Sequence, residues 1–500
     1  MIDLATESRP EVLREVARLQ QQEIEKLHRR LGELAALLAK AKGEDATQAL
    51  QLELLRLREQ LAAREQKLFG RSSEQRRAPE TPASPANGAA TPAPVRRGHG
   101  PRSQPTLPIL ETIHTLDEPD RACPACGGAL AEMKGQYEES EEIDLIERSY
   151  RLVRHRRQKY RCTCGECVDT ALGPPKLIPG GRYSVDFAVA VAVAKYVDHL
   201  PLARQVRQMA RAGLSVDTQT LWDQLFAVQR HLLPSYEALH ELVLAAPVVG
   251  ADETTWPLLE KGGGKRWYAW SIACPDAVFY RIDPSRSARA AGEILRDYRG
   301  VVVADGYSAY ATLARERGSG AFALAHCWAH VRRKLVEAEA AYPQAGEALA
   351  GIGQLYAIEA ELTGAAPEAR LAARRERSRP LVEELRAWLD GVRALPESAL
   401  GKAIAYADAL WPGLVRFLDD PAIPIDNNAT ERAMRGVVLG RKNHYGSKSL
   451  RGTQVAALFY SLVESAKLAR LEPAGYLAEA TRRAIANPGT VTLPRDLATA

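Results

Sequence analysis

The chain has 500 residues and a formal net charge of +5, from 67 lysines and arginines against 62 aspartates and glutamates. This length excludes a single hydrophobic core, because domains average roughly 150 residues. No apolar run reaches the roughly 18 residues of a membrane span, and the N-terminal stretch lacks the apolar core of a signal peptide. We therefore expect a cytoplasmic protein with no membrane partner. The charge balance is only mildly basic, so local clusters carry more information than the total.

Residues 1–70 carry the heptad pattern of a coiled coil. Apolar residues recur in alternating steps of four and three from Leu13 to Leu38. The seam restarts two residues out of phase at Leu50 and continues to Leu68, which indicates a stutter or a turn between two helices. The helices could pack on each other as a hairpin. We favour self-association into a homodimer or higher homo-oligomer, because so narrow a stripe usually needs a partner.

Residues 71–108 are rich in Pro, Ala and Ser and contain a basic cluster, and we interpret them as a linker without fixed structure. The following module, residues 109–180, holds five of the seven cysteines. Two thiol clusters of this kind predict a structural Zn²⁺ site in a reducing compartment. A tetrahedral zinc site takes four ligands, and five thiols are available. We assign Cys123, Cys126, Cys164 and Cys167, with Cys162 as the alternate.

A strongly basic segment with interleaved tyrosines lies between the two thiol clusters, from Arg148 to Arg161. Such a segment is suited to lying along a DNA backbone, and its candidate contacts are Arg154, Arg156, Arg157 and Lys159. The alternative is the exposed face of a strand in a ribbon.

Residues 181–245 predict helices, over Tyr183–His199 and Leu202–Ala212, followed by a turn at Gly213. Ser215 or Asp217 would cap the next helix. The pair of helices around Gly213 fits a helix-turn-helix that binds DNA, and it fits a packing layer equally well.

Residues 246–334 change to a strand pattern. Val248–Trp256, Arg266–Ala273 and Ala277–Ile282 predict a three-stranded meander, and Gly300–Gly306 predicts a buried central strand. A shorter strand over Phe322–His326 leads into a helix. Residues 335–420 predict an all-α insertion, 421–480 complete the core, and 481–500 form a C-terminal tail.

Three acidic residues lie where such a core would bring them together. Asp252 and Asp305 end two core strands, and Glu431 lies in the first turn of a helix capped at Asn427 or Asn428. Three carboxylates left partly open are what Mg²⁺ or Mn²⁺ requires, and such ions support phosphoryl transfer in DNA. We choose Asp252 over its neighbour Glu253, because successive side chains in a strand point to opposite faces.

Cations surround Glu431 in sequence, and we interpret the glycine-containing stretch beyond it as a flexible phosphate-binding arm. The candidate DNA contacts here, together with a basic run after the second aspartate, are Arg332, Arg333, Lys334, Arg432, Arg435, Arg441, Lys442, Lys448 and Arg451.

Several ordered motifs resemble a DDE transposase of the bacterial insertion sequence 66 family, its large catalytic subunit. The resemblance runs from the coiled coil to about Leu477. Besides the cysteine clusters, the matching motifs are Phe69-Gly70-Arg71-Ser72-Ser73-Glu74, Lys195 to Leu202, Asp252-Glu253-Thr254, Asp305-Gly306-Tyr307, Cys327 to Lys334, and Asp426-Asn427-Asn428 through Glu431 to Asn443.

The resemblance implies an RNase H-like catalytic core within a multidomain α/β protein. It implies that Asp252, Asp305 and Glu431 are the metal-binding triad and that the enzyme carries out Mg²⁺-dependent strand transfer at the ends of a mobile element. It also implies that the N-terminal region and the cysteine module recognise those double-stranded DNA ends. Accessory transposition proteins and association with the bacterial nucleoid are further expectations.

The chain departs from the family pattern at two places. Gly165 stands where the family commonly has the second thiol of a C-x-x-C pair, which leaves the choice among Cys162, Cys164 and Cys167 open. The loop after Asn443 is shorter than the commonest form. Cys327 and His330 resemble a Cys-x-x-His signature of several transposase groups, and we interpret them as structural, since two ligands alone cannot complete a zinc site.

Two other functions compete with a transposase. One is a dimeric, zinc-containing DNA-binding regulator whose nuclease core is inactive, and the other is a nuclease without strand transfer. The presence of all three acids together with the basic stretch favours the transposase over the regulator.

Overall fold

The computed structural model describes residues 10–40, scattered positions between 51 and 61, and residues 150–161, 168–171, 173–260 and 263–498. The linker at 71–108 and the five cysteines assigned to zinc lie outside these residues, so those predictions are not tested here. Within the described part of the chain, no helix combines the length and the apolar character needed to cross a membrane.

Helix α1, Pro10–Lys40, contains the predicted apolar seam. Leu27 and Leu34 on this helix are buried and share a hydrophobic cluster with Leu57 and the partly buried Leu61. The seam is therefore covered in part by the same chain, as the hairpin alternative requires. Self-association stays a prediction.

A two-stranded antiparallel ribbon, β1 Lys159–Arg161 and β2 Val168–Thr170, precedes three helices. These are α2 Val185–Tyr196, α3 Leu202–Arg211 and α4 Thr218–Leu244. The Asp217 carboxylate accepts the backbone N–H of Thr220 at 2.6 Å, so Asp217 is the cap of α4 rather than Ser215. Helices α3 and α4 are compatible with both a packing layer and a DNA-binding helix-turn-helix. Helix α4 is largely buried, as in a packing layer, whereas α3 has exposed arginines that could contact DNA.

A five-stranded mixed sheet forms the centre of the fold. Its strands are β3 Val248–Glu260, β4 Gly263–Cys274, β5 Ala277–Asp283, β6 Val301–Ala304 and β7 Ala323–His326. The order is β5-β4-β3-β6-β7, with β5, β4 and β3 antiparallel and β3, β6 and β7 parallel. Helices α5, Ala288–Leu295, and α6, Ser308–Arg317, make the crossovers. The predicted meander and central strand are confirmed; Val302 and Val303 are fully buried.

The predicted helical stretch after the sheet is confirmed, with short breaks. It consists of α7 Trp328–Glu339, α8 Ala345–Glu361, α9 Pro367–Ala373, a π-helical turn Arg374–Ser378, α10 Arg379–Gly391 and α11 Ala399–Leu414. Its hydrophobic cluster includes Val303 and Ala325 from the sheet, so these helices continue the sheet's core. The buried Arg374 is fully paired, by two bonds to Glu359 of 2.7 and 2.8 Å and by backbone carbonyls.

The chain ends with α12 Asn428–His444, α13 Leu450–Leu468, α14 Pro473–Ala486 and α15 Pro494–Ala498. Helix α13 docks on the core as predicted, but it is buried nearly all round. Its Ser461 and Ser465 hydroxyls accept the N–H groups of Tyr280 and Val278 at 2.8 and 2.9 Å. The helix thereby satisfies the free edge of β5, which would otherwise be open to another strand. The segment 481–500, expected as a tail, is partly helical and buries Thr481 and Leu493.

His240 on α4 gives the fold a specific sensitivity to acid. Its ring is buried and stacks on Phe279 with a centroid separation of 3.9 Å, and its Nε2 lies 2.6 Å from the carbonyl of Ile294. Burial lowers the pKa of His240 from 6.5 to about 4. The unfolded chain therefore takes up a proton at this residue that the folded chain resists.

We predict that stability falls as the pH drops from about 6.5 towards 4, with a loss of about 2 kcal/mol from this residue at pH 5. The variant His240→Gln keeps a donor for Ile294 but does not titrate. Urea unfolding at pH 7 and pH 5 should show a smaller pH-dependent loss in the variant. Equal losses in the two proteins would mean that His240 is not the source.

Candidate active site

Asp252 lies within β3, opposite Ser271 on β4. The prediction that it ends its strand is wrong, because β3 continues in pairing with β4 as far as Glu260. Its Oδ1 accepts the N–H of Glu253 at 2.8 Å. Burial, followed by the charge of Glu253 and then those of Asp305 and Glu431, raises the pKa of Asp252 from 3.8 to about 7. Strand β3 pairs in parallel with β6, with Gly250 opposite Val303, so Asp252 and Asp305 lie the same number of residues beyond this pair on adjacent strands.

Asp305 directly follows β6, where the chain turns into α6. Its Oδ1 accepts the N–H of Tyr307 at 2.9 Å, and its backbone carbonyl accepts a hydrogen bond from the Tyr406 hydroxyl on α11. The turn requires Gly306, whose φ is +94° and whose space for a Cβ is taken by Leu410 of the same helix. The helical insertion thus helps to shape the loop that carries Asp305.

Glu431 lies in the first turn of α12, as predicted, with Asn427 as the N-cap residue. The Asn427 side chain makes no capping bond; its Nδ2 donates instead to the carbonyl of Ala251 on β3 at 2.8 Å. Its backbone N–H donates to Cys327 Sγ at 3.3 Å. These bonds hold the start of α12 against β3, one residue before Asp252.

Gly250 allows this close approach. A Cβ at this position would overlap the Thr430 hydroxyl and lie 2.5 Å from Asn427 Oδ1. A glycine within a strand often marks a place where another backbone comes near. Any side chain at residue 250 would push the start of α12 away from β3.

Cys327 and His330 reach the same place. Within the part of the chain that the structure describes, Cys327, His330 and Glu431 form a group whose ligand atoms lie within 4.8 Å of one another. Glu431 thus offers a third potential ligand beside Cys327 and His330, and the structural interpretation of this pair stays a prediction. His330 Nδ1 lies 3.7 Å from Glu431 Oε1, and both atoms are buried without a hydrogen-bond partner among the described residues.

The acids fit a hard divalent cation. Asp252, Asp305 and Glu431 are carried by β3, by the loop directly after β6 and by the first turn of α12. Their carboxylate oxygens are the donors that Mg²⁺ or Mn²⁺ prefers, and the orphaned Oε1 of Glu431 is free for a ligand. A cation there would also offset the repulsion that raises the pKa of Asp252.

Glu253 has a different environment from Asp252. Its buried carboxylate accepts hydrogen bonds from Arg286 at 2.6 and 3.1 Å and from the Tyr310 hydroxyl at 3.0 Å. Arg286 also lies over the ring of Tyr307, 4.0 Å from its centroid. The carboxylate oxygens of Glu253 are therefore already engaged by protein donors, which supports the choice of Asp252 as the candidate metal ligand.

The predicted DNA-binding cations are mostly at the surface. Those with exposed side chains are Arg154, Arg156, Arg157, Lys159, Arg332, Arg333, Arg432, Arg435, Lys442, Lys448 and Arg451. Lys334 is partly buried, with its ammonium 4.7 Å from the centre of the Tyr406 ring. Arg441 is tied to β3, where it donates to the Thr254 hydroxyl at 2.8 Å and to the Thr255 carbonyl.

The flexible arm predicted beyond Glu431 is wrong for most of its length. Helix α12 continues to His444, α13 begins at Leu450, and Ser447 in the short loop between them pairs with Leu258 of β3. The glycines that suggested flexibility serve packing instead. At Gly440, for example, a Cβ would overlap the hydroxyl of Tyr460.

Comparison with known sequences shows the family to which the chain belongs. The profile described as "Transposase IS66 family" matches residues 180–455, more than half of the chain. The chain belongs to this transposase family. A second profile, described as the zinc-finger binding domain of transposase IS66, matches residues 120–165. This match includes Cys123, Cys126, Cys162 and Cys164, and it ends before Cys167.

Three similar proteins come from Sinorhizobium fredii (strain NBRC 101917 / NGR234), and all are described as uncharacterized. Protein y4jD is 37% identical over 404 residues, which cover 77% of this chain and 78% of the relative. Protein y4qI is 32% identical over 396 residues, covering 75% and 72%, and y4hP is 27% identical over 416 residues, covering 78% and 75%. The similarity therefore extends over most of each protein.

The sequence reasoning missed several residues that shape the site of this IS66 family member. It did not single out Gly250, Arg286 or Tyr406, and it gave Asn427 only the role of a cap. A glycine inside an apolar strand was the one available signal, and it points to close packing without naming the partner. The roles of Arg286 and Tyr406 depend on contacts between distant parts of the chain.

We predict that Gly250→Ala displaces α12 from β3 and separates Glu431 from Asp252. Transposition in cells should fall about tenfold or more, because misplacing a catalytic group by about 1 Å can cost that much or more. The thermal midpoint should also fall, since overpacking costs about 1–3 kcal/mol. Gly292→Ala is the matched control, because its Cβ would make ordinary contact with Leu313 at 3.4 Å. Full activity of the Gly250 variant would contradict the assigned role.

Proposed function

We propose that this protein is a DNA transposase that binds the terminal repeats of an insertion sequence and carries out metal-dependent DNA cleavage and strand transfer. The observation that carries the proposal is the placement of three acids on adjoining elements. Asp252 on β3 and Asp305 after β6 are in register on adjacent parallel strands, and the start of the Glu431 helix is bonded to Ala251 of β3. Membership of the IS66 transposase family supports the same reaction.

The sheet supports an RNase H-like core. The first strand of an antiparallel meander, β3, pairs in parallel with β6, and β6 pairs in parallel with β7, which gives the order β5-β4-β3-β6-β7. The candidate acids lie on the two central strands and on a later helix docked against them. In this proposal residues 246–334 and 421–480 form the catalytic core, with 335–420 as its insertion.

Asp252, Asp305 and Glu431 would hold Mg²⁺ or Mn²⁺. When bound, such ions activate a water or a 3′-hydroxyl and stabilise charge on the phosphate. The chain's own contribution is placement: Asn427 fixes the start of the Glu431 helix, and the bond from Tyr307 N–H orients Asp305. Burial at Asp252 excludes water from one side of the site and strengthens its electrostatic interactions.

The exposed cations on α12 and in the loop that follows it would bind the phosphates of DNA near these acids. Arg432 and Arg435 extend from the turn that holds Glu431, and Lys442, Lys448 and Arg451 continue the basic surface. Arg441, which the sequence predicted as a DNA contact, is not part of this proposal, because its guanidinium donates a hydrogen bond to Thr254 of β3. Arg332 and Arg333 on α7 would contribute on the side of Cys327.

Recognition of the element ends is assigned to the N-terminal modules. We propose that a zinc ion is held by Cys123 and Cys126 with two of Cys162, Cys164 and Cys167, and that the basic segment up to the β1 ribbon lies along DNA. The zinc-finger profile at residues 120–165 supports this assignment. The coiled coil at 1–70 would join two or more copies, in the bacterial cytoplasm and at the nucleoid.

The decisive test is Glu431→Gln, which removes a charge at nearly constant volume. DNA-end binding should persist, because it depends on phosphate contacts elsewhere. Excision of a plasmid-borne element flanked by its native ends should fall about 100-fold or more, as expected when stabilisation of the transition state is lost. Measurement of end binding and of excision separates the two steps.

The control for this test is Glu479→Gln, which removes a carboxylate from the exposed face of α14. Glu253→Gln is unsuitable as a control, because it would break the buried pair with Arg286. If Glu431→Gln excises the element at the parent rate, the assignment of Glu431 to the catalytic triad is wrong. If the parent protein binds the ends but does not excise the element, the regulator becomes the better assignment.

We further predict that the full-length protein contains about one structural zinc per chain. Cys123→Ser should lower the zinc content and weaken end binding, while the circular dichroism of the large helical part stays unchanged. Elemental analysis of Cys162→Ser, Cys164→Ser and Cys167→Ser identifies the two remaining ligands, since the variant that retains zinc names the spare thiol. A parent protein purified without zinc chelators that contains no zinc would refute the assignment.

A further inference from the structure

Tyr445 ends helix α12 in an unusual backbone conformation. Its φ and ψ are 58° and 30°, in the left-handed region, and Gly446 follows with φ at +83°. Glycine or asparagine commonly takes the left-handed position at a helix end, because a Cβ there is disfavoured. The ring contributes little packing energy to the fold, since Tyr445 is 69% exposed. An aromatic residue is thus held where local structure alone would favour glycine.

The neighbours of Tyr445 hold it firmly. His444 is packed edge-on against Tyr196 and Trp256, with ring centroids 6.5 and 5.8 Å away. On the other side, Ser447 accepts the N–H of Leu259 at 2.7 Å and donates its own N–H to Pro257 at 3.1 Å. The loop is therefore anchored to the core before and after Tyr445, and it presents the ring to solvent.

Cations surround the exposed ring in sequence. Lys442, Lys448 and Arg451 are exposed, and the Arg451 guanidinium lies over Phe226 at 4.7 Å from the ring centroid. Leu450 is also 54% exposed. An aromatic face among cations is the combination that binds single-stranded nucleic acid, because phosphates pair with the cations and a base stacks on the ring.

We propose that Tyr445 stacks on an unpaired nucleobase while Lys442, Lys448 and Arg451 bind the adjoining phosphates. This inference rests on the proposed function in taking DNA as the partner. A paired duplex would use the cations but not the ring, since its bases are already stacked. Tyr445 lies fourteen residues after Glu431, about 20 Å along the helix at 1.5 Å per residue, so the base would lie away from the carboxylates.

The test compares binding of two DNA probes to the full-length protein, without added Mg²⁺ so that no cleavage is needed. One probe is a blunt duplex, and the other is the same duplex with a short single-stranded overhang containing 2-aminopurine. Tyr445→Asn keeps a residue that tolerates the left-handed conformation and removes the ring. It should bind the overhang probe about 5- to 150-fold more weakly, the usual effect of losing one stacked base, and bind the blunt probe normally.

Three further variants separate the effect of the ring from the effects of charge and of folding. Lys448→Gln should weaken the binding of both probes equally and reduce the salt dependence of binding. Tyr445→Phe keeps an aromatic ring, so it should retain both overhang binding and the quenching of 2-aminopurine fluorescence. Tyr445→Gly should keep or raise the thermal midpoint and still lose overhang binding.

The inference is overturned if Tyr445→Asn and Tyr445→Gly bind the overhang probe with the affinity of the parent protein. It is also overturned if the two variants lose affinity for both probes equally. These results are independent of the excision test with Glu431→Gln, since that variant keeps Tyr445. If the parent protein excises the element but the Tyr445 variants bind the overhang probe normally, the proposed function stands and only this inference is wrong.

Discussion

The contact between the start of α12 and strand β3 is the constraint on which the candidate site depends. Asn427 donates to the Ala251 carbonyl, and Gly250 leaves the space for it to do so. The same asparagine donates its backbone N–H to Cys327, and the N–H of Trp328 donates to the carbonyl of Ile425 at 3.2 Å. The beginnings of α7 and α12 are thus fixed together against the strand that carries Asp252, although they are far apart in sequence.

This arrangement has a cost in stability. A carboxyl whose pKa rises from 3.8 to about 7 is disfavoured in its charged form, and each unit corresponds to about 1.4 kcal/mol. Above neutral pH the folded chain must therefore hold together a buried charge that the unfolded chain would hydrate. Glu253 in the same strand is also buried, but its carboxylate accepts hydrogen bonds from Arg286 and Tyr310, which offset part of the free-energy cost of burying it.

Local patterns in the sequence were enough to predict the strands, most helices and the position of Glu431. The valines of β6 and the cap at Asp217 act through neighbours within a few residues, so their roles can be read along the chain. Arg441 shows the limit of such reading. Its charge and its neighbouring glycines indicated a mobile arm, whereas the structure ties its guanidinium to Thr254 and Thr255. The partner of a long side chain depends on how distant segments pack, and no local pattern contains that information.

The helical insertion illustrates the same point and joins the fold to the site. It could have been an independent unit, since its pattern is uniformly helical. Instead, Tyr406 on α11 donates to the carbonyl of Asp305, and Leu410 fills the space beside Gly306. Farther along this helix, Gly413 makes room for the ring of His326, the last residue of β7. Because α11 contacts the ends of both β6 and β7, a shift of the insertion would move Asp305 relative to Asp252. The insertion is therefore part of the structure that places the second acid.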